Sequence, residues 1–386
     1  MTQTKATGPL AGIVVVDLSR ILAGPYCTLL MAEMGARVIK VEPPKGGDDA
    51  RAYGPYVNGR STYFASVNRG KESIALDLKN DEHRKIFDKL LAKADVVVEN
   101  FRPGTMEKLG YGWETLHAKY PQLIYASASG FGHTGPNSKD PAYDMVMQGM
   151  GGVMSITGNE GQPPSRVGLS IGDLGAGLYT AIAVNAALVH RLKTGESTKV
   201  DVAMFDCQLA LLENAIMRYT VEKEIPGPLG ARHPTITPFE AFATSDGSII
   251  IAAGNDSLFI KMCEALGRPD MAANPEYKSN ALRQKSQKKL KQEIESVLKD
   301  NTTVHWIDVV SKGGVPCGPI NNIAQAIVHP QVEARNMLVS VPDGSGGTLT
   351  LAGNPLKMSA FDDPKTRKAA PDLDADRAAI LSYVGG

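Results

Sequence analysis

GIVVVDLSRILAGPYCTLLMAEMGARVIKVE, residues 12–42, decides the fold, because it reads as strand, turn, helix and strand in succession. GIVVVDL is a short apolar run centred on three valines, suited to a strand buried on both faces. GPYCTLLMAEMGA has helical spacing and reaches a stop at Gly35, after which RVIKVE resumes as a strand. Two strands joined through a helix run parallel, and ligands of a parallel sheet sit beyond the carboxyl ends of its strands.

The same unit recurs downstream. SIALDL reads as a strand, DEHRKIFDKLLAKA as an amphipathic helix and DVVVEN as a strand, followed by a turn at Arg102-Pro103-Gly104. A helix around WETLHAKY precedes LIYASASGFG, a strand running into glycines. Glycines crowd residues 149–177, and a long helix is expected over 174–194 with Gly195 as its stop. TKVDVAMFD is a further strand, leading into a helix at CQLALLENAIM. Residues 224–238 have the Pro and Gly content of a linker. FEAFATSDGSIIIAAG then reads as a hairpin turning at Asp246-Gly247, followed by helices over 257–266 and 280–299. The expectation is an α/β chain: a large Rossmann-like open parallel-sheet domain from 1–195 and 352–386, linkers at 196–225 and 326–351, and a smaller α+β domain at 226–325.

Composition narrows the function. The 386 residues, 43% hydrophobic and 21% charged, describe a globular chain long enough for two domains. Lys+Arg and Asp+Glu both number 41, so no global basic field exists to hold nucleic acid or an anionic membrane surface. The four cysteines, Cys27, Cys207, Cys263 and Cys317, are scattered without a C-x-x-C pair, which speaks against zinc and disulfides and for a reducing, cytoplasmic setting. The start, MTQTKATGPLAG, lacks a signal-peptide pattern, and residues 174–189 read as a buried helix and not as a membrane span.

The first β-α turn, LSRILAGPY, has one glycine where a dinucleotide fingerprint needs three, and P-loop, H-E-x-x-H and G-x-S-x-G patterns are absent. Polar groups gather instead at the expected strand ends: Glu42 with Lys45 and Asp48, Asn68-Arg69-Gly70-Lys71, and Asn100-Phe101-Arg102. Cations and amides around an aromatic ring suit a phosphorylated nucleotide, although solvated loop charges would look the same. Asp173 sits between Gly172 and Gly175-Ala176-Gly177, just before the long helix. It reads either as a helix cap worth ~1 kcal/mol or as a carboxylate bared by glycines so that a bulky thioester can approach.

These segments together resemble the class III CoA transferases, the family of formyl-CoA:oxalate and carnitine CoA transferases. The resemblance is carried by RILAGPYCTLLMAEMGARVIKVEPPKGGD, NRGKESIALDLK, VVVENFRPG, PAYDMVMQGMGGVMSITG, GDLGAGLYTAIAVNAALVHRLKTGE and HPTITPFEAFATSDGSIIIAAGND, spread from residue 10 to about 360. It implies Asp173 as the catalytic nucleophile and Tyr143 as a lining residue of the acyl site. It implies coenzyme A contacts at Leu22 and Ala23, at Leu76, Asp77, Leu78 and Lys79, at Asn100, Phe101 and Arg102, and at Lys108. Two departures stand out. Leu22 replaces the formyl transferase's glutamine, which counts against formyl and oxalate. The family's mobile tetraglycine loop is unmatched, and Gly254 and Asn255 stand near its place as acyl-site residues. The resemblance further implies a homodimer of two interlocked rings, no permanently bound cofactor, and acyl-CoA and a carboxylic acid as substrates.

In that family an aspartate attacks the acyl-CoA thioester and passes through a mixed anhydride and an aspartyl-CoA thioester. The related α-methylacyl-CoA racemases pair the aspartate with a histidine, whose position Tyr143 holds here; His133 belongs by its context to the turn Gly132-His133-Thr134-Gly135-Pro136. A non-catalytic acyl-CoA-binding protein is a further alternative, against which the retained Asp173 speaks. C4 and C5 dicarboxylates are the expected acids, with Arg51 and Arg166 as candidate partners for a second carboxylate.

Overall fold

The computed structural model describes residues 8–385. The segment read for a signal peptide overlaps residues 1–7, which lie outside the described residues. The chain divides into two units, one taking residues up to Met154, Arg166–Glu224 and Pro330 onward, the other Ser155–Ser165 with Ile225–His329.

Six parallel strands organise the first unit. From edge to edge they are Glu72–Ala75, Arg37–Glu42, Val14–Asp17, Val96–Glu99, Ile124–Ser129 and Lys199–Ala203. Numbered along the chain within this sheet, the order is 3-2-1-4-5-6, that of a doubly wound dinucleotide fold. Val15 and Val16 show why the opening run is apolar throughout: they point to opposite faces and are both fully buried. Burial is worth about 1.5–3 kcal/mol for each such side chain. Helices Ala23–Glu33 and Ile171–Thr194 cover the Val15 face, meeting it through Leu30, Met31, Val184 and Leu188. Helices Asp81–Leu91, Trp113–Lys119 and Arg377–Val384 cover the other through Phe87, Leu116 and Ile380. The edge strand is closed by the C-terminal tail: Ser73 and Ala75 donate their N–H groups to Asp376 and Asp374, while their carbonyls accept from Asp376 N–H and the Arg377 guanidinium.

Several expectations are corrected. The long helix starts at Ile171, so Asp173 lies inside its first turn and is not its cap. Only half of that helix's most apolar window is buried, and Ile182 and Leu192 are 64% and 82% exposed. SIALDL leaves the sheet after Ala75, so Leu76–Lys79 is loop. The strand expected within TKVDVAMFD is an edge strand of the main sheet at Lys199–Ala203 although 196–225 was assigned as linker, and most of the linker assigned to 326–351 is taken up by the hairpin Leu338–Pro342 with Thr348–Ala352.

The second unit is built on an antiparallel sheet in the order Cys317–Pro319, Ser248–Ala252, Phe239–Ala243. The helix expected over 280–299 breaks at Ser286 into Asn280–Lys285 and Gln287–Leu298. The two halves bury different chemistry. Leu290, Ile294 and Leu298 enter the apolar core, whereas Arg283 turns inward to the Thr237 and Tyr277 carbonyls and Asp256.

Candidate active site

Asp173 owes its place to a second helix, Asp144–Met150. The Asp144 carboxylate accepts the Gly172 N–H at 2.8 Å and the Gln148 side-chain amide at 2.8 Å. Gln148 in turn accepts the Val167 N–H and donates to the Leu169 carbonyl. A free N–H of the first helical turn is thus satisfied by a carboxylate 28 residues upstream, and Ser170, at the cap position, contributes no side-chain bond.

The Asp173 carboxyl is half-buried and, among the described residues, makes no hydrogen bond or ion pair. Burial, with the Asp144 charge adding, pushes it up to about 7. The helix N-terminus opposes this by about 0.3–1 kcal/mol, against about 4 kcal/mol for a rise of that size. Burial wins. The result is a basic, poorly solvated carboxylate near neutral pH.

The flanking glycines do not bare it, contrary to expectation. Gly172, Gly175 and Gly177 all face inward. A Cβ on Gly177 would stand 2.7 Å from the Ala23 carbonyl oxygen, and one on Gly172 2.9 Å from the Gln208 amide. Their smallness lets the helix pack against its neighbours, and at Gly177 it brings Ala23 to within one turn of Asp173.

Ala23 ends the first β-α turn, which is strained and pinned. Ile21 has φ +68°, the left-handed region that a β-branched side chain rarely adopts. Asp48 accepts its N–H at 2.9 Å, and Asn100 both accepts the Arg20 N–H and donates to the Arg20 carbonyl, each at 2.8 Å. The turns after the first and fourth strands are therefore stitched together at the point where the strand order reverses, the place where doubly wound sheets bind ligands. Leu22, Ala23, Asn100, Phe101 and Arg102 meet there. Leu22, Ala23 and Leu76 are buried, whereas Asp77, Lys79, Arg102 and Lys108 are exposed.

Other polar groups prove structural. Lys71 is fully buried on Asp17 at 3.0 Å and Asn68 at 2.8 Å, and Arg69 pairs with Glu33 at 2.8 Å. Arg51, a candidate for the second carboxylate, is bidentate to Glu42, with both bonds at 2.7 Å, and is stacked over Phe64. It is committed. Arg166 is exposed and holds no ion pair among the described residues; Lys45 is exposed too. Gly254 and Asn255 lie in the second unit, where the Asn255 side chain caps helix Asp256–Ala265 through the Leu258 N–H.

Two tyrosines escaped the sequence reading. Tyr63 is pushed up to about 12 by burial and then by the nearby Asp173 charge, and its ring meets Tyr53 edge-on at 5.7 Å. Tyr53, raised by burial, also feels Tyr143, which is 70% exposed and precedes Asp144. Three phenols thus belong to the surroundings of Asp173. Tyr63 lies in helix Thr62–Asn68 while Tyr53 and Tyr143 stand outside helices and strands, and in the sequence only Tyr53-Gly54-Pro55-Tyr56 after Asp48 marks Tyr53 as part of an ordered turn. A cavity of about 650 Å³ lies at the carboxyl end of helix Ala23–Glu33, but its Arg69 and Arg367 are paired with Glu33.

The family model for CoA-transferase family III matches residues 10–377. The chain is 45% identical to an acetyl-CoA:oxalate CoA-transferase of Acetobacter aceti, covering 98% of this chain and 96% of that one. It is 41% identical to a succinyl-CoA:mesaconate CoA-transferase of Haloarcula hispanica, over 98% and 97%. Among solved structures, a CaiB/BaiF family protein from Brucella suis superposes with a TM-score of 0.85 at 39% identity, covering 98% of this chain and all of that one.

Proposed function

The chain belongs to CoA-transferase family III and is a CoA transferase, and from that premise we propose that Asp173 carries the transferred groups and that a small dicarboxylic acid is the acceptor. The observation behind this is an unpaired, half-buried carboxyl at about 7, set beside the switch-point turns. A carboxylate is ordinarily a weak nucleophile. Stripped of solvent and raised in basicity, it becomes a better one.

Asp173 attacks the acyl-CoA carbonyl, the C–S bond breaks, and a mixed anhydride and coenzyme A thiolate result. The thiolate attacks the aspartyl carbonyl and expels the donor acid, leaving an aspartyl-CoA thioester. The acceptor carboxylate attacks that thioester, the thiolate leaves, and its attack on the acceptor's acyl carbon yields the new acyl-CoA and regenerates Asp173. Holding both partners in one site supplies the effective concentration. Tyr143, with Tyr53 and Tyr63, would line the acyl group, and Gly254 and Asn255 are proposed to complete the acyl site. Leu22, Ala23, Leu76, Asp77, Leu78, Lys79, Asn100, Phe101, Arg102 and Lys108 would hold coenzyme A.

The relatives' names make oxalate- and mesaconate-like acids the proposed acceptors, with acetyl-CoA or succinyl-CoA as donors, so oxalate stays in play despite Leu22. Arg166 is the proposed partner of a second carboxylate. No permanent cofactor enters the scheme, and a cytoplasmic setting accords with four free cysteines. An interlocked homodimer is proposed as well, supported by the apolar exposure along helix Ile171–Thr194. The test is mass spectrometry of enzyme quenched during turnover of succinyl-CoA with an acid panel. Asp173 should carry a coenzyme A or hydroxylamine-trapped adduct, and Asp173→Ala should lower transfer by at least ~10³-fold. Unmodified Asp173 together with an active alanine variant refutes the reading.

A further inference from the structure

Glu99 ends the fourth strand of the sheet, one residue before the Asn100-Phe101-Arg102 turn, and is buried although acidic. Its Oε2 accepts the Phe101 N–H at 2.7 Å and its Oε1 accepts the Tyr125 hydroxyl at 3.0 Å. His133 Nε2 stands 3.6 Å from the same Oε1, buried and without a hydrogen-bond partner. The other ring nitrogen, Nδ1, lies 3.0 Å from Lys199 Nζ. An ammonium can only donate, so Nδ1 accepts and the ring proton sits on Nε2, aimed at Glu99. The Asp201 carboxylate fixes the histidine by accepting its backbone N–H at 3.0 Å. A carboxylate bonded to a phenol and an imidazole bonded to an ammonium thus stand side by side beneath the turn.

We propose that Glu99 is a positioning residue for coenzyme A, clamping the Phe101 amide so that the Asn100-Phe101-Arg102 turn keeps its ligand-holding shape, with the Lys199 ammonium as the nearby cation that favours the ionised clamp. The inference rests on the reading above that this turn touches coenzyme A. The ionised carboxylate is the stronger acceptor for the amide, and a protonated one gives up part of that hold. Burial lifts Glu99 to about 7 in spite of the Phe101 and Tyr125 bonds, and burial with Lys199 lowers His133. Glu107 and Asp201 are the remaining charged groups that face the pair. At pH near neutrality one proton decides whether the clamp is closed.

The experiment is calorimetric titration of the full-length enzyme with coenzyme A itself, from pH 6 to 8.5, for the unmodified protein, Glu99→Gln, Lys199→Gln and Arg102→Ala. Coenzyme A titrates in this range too, so each variant's Kd is read as a ratio to the unmodified protein at the same pH. For Glu99→Gln the ratio should be about fivefold at the alkaline end and fall toward one at pH 6, where the carboxylate is protonated anyway. Lys199→Gln should give a ratio that peaks near pH 7, because loss of the cation moves the Glu99 transition upward. Arg102→Ala should weaken binding at every pH. If Arg102→Ala leaves Kd unchanged, the turn is not a coenzyme site and the inference falls with that reading. If Arg102→Ala weakens binding while the Glu99→Gln ratio is one, or is constant with pH, the inference alone is overturned. Should Glu99→Gln fail to fold, the Lys199→Gln ratio decides in the same way.

Discussion

At the scale of the residue, the raised carboxyl of Asp173 costs the fold stability. Its folded carboxyl sits at about 7 against an ordinary value of 3.8, so ionisation is disfavoured in the fold. The penalty is absent at pH below the unfolded value, grows as pH rises between the two, and is complete above about 7. Asp173→Asn should therefore raise the melting temperature at pH 8 by an amount equivalent to about 1–4 kcal/mol, with the gain shrinking toward pH 4, while transfer is lost. Equal melting curves at both pH values would show that the carboxyl is not perturbed. The glycines around Asp173 singled it out in the sequence, but its raised carboxyl did not show there, because the cause is burial against other elements, with the charge of Asp144 from another helix adding to it. Arg51 failed the other way, since nothing in its neighbourhood announces that Glu42 claims both arms of its guanidinium.

At the scale of the element, two glycines one turn from Asp173 look alike in sequence and differ in space. A methyl on Gly177 would meet the Ala23 carbonyl at 2.7 Å, a backbone atom that cannot step aside without shifting the first turn. A methyl on Gly175 would meet Leu211 and Cys207 at 3.5 and 3.8 Å, which is ordinary contact. Gly177→Ala should cost about 1–3 kcal/mol and raise KM for acyl-CoA, because it displaces Ala23. Gly175→Ala should be neutral or stabilising by about 0.5–1 kcal/mol. Denaturant unfolding and steady-state kinetics of the pair check both, and equal behaviour would argue against the close helix contact. Strands such as RVIKVE were read to the residue because their periodicity is local. The start of helix Ile171–Thr194 was misplaced by three residues because the group completing it lies in another element.

At the scale of the whole molecule, the parallel sheet was legible from alternation of strands and helices, and its strand order brings Leu22, Ala23, Asn100, Phe101 and Arg102 to one switch point, while Leu76–Lys79 follow the edge strand. The exposed apolar face of helix Ile171–Thr194 was not legible, since a run rich in Ala, Leu and Ile looks the same whether buried on one side or two. Ile182, Val189 and Leu192 stay in contact with solvent in a single chain, more apolar surface than one helix of a monomer normally shows. Light scattering should give twice the mass of one chain, and Ile182→Glu should halve it; a single-chain mass for the unmodified protein would count against the interlocked pair. The tail aspartates bear on how such molecules meet. Asp374 and Asp376 fill the outward amides of the first edge strand, and Asp376 and Arg377 its outward carbonyls. A neighbour seeking to lengthen the sheet there finds no vacant rung. Assembly across that margin by strand templating, the route to fibrils, is closed off by a handful of side chains at the end of the chain.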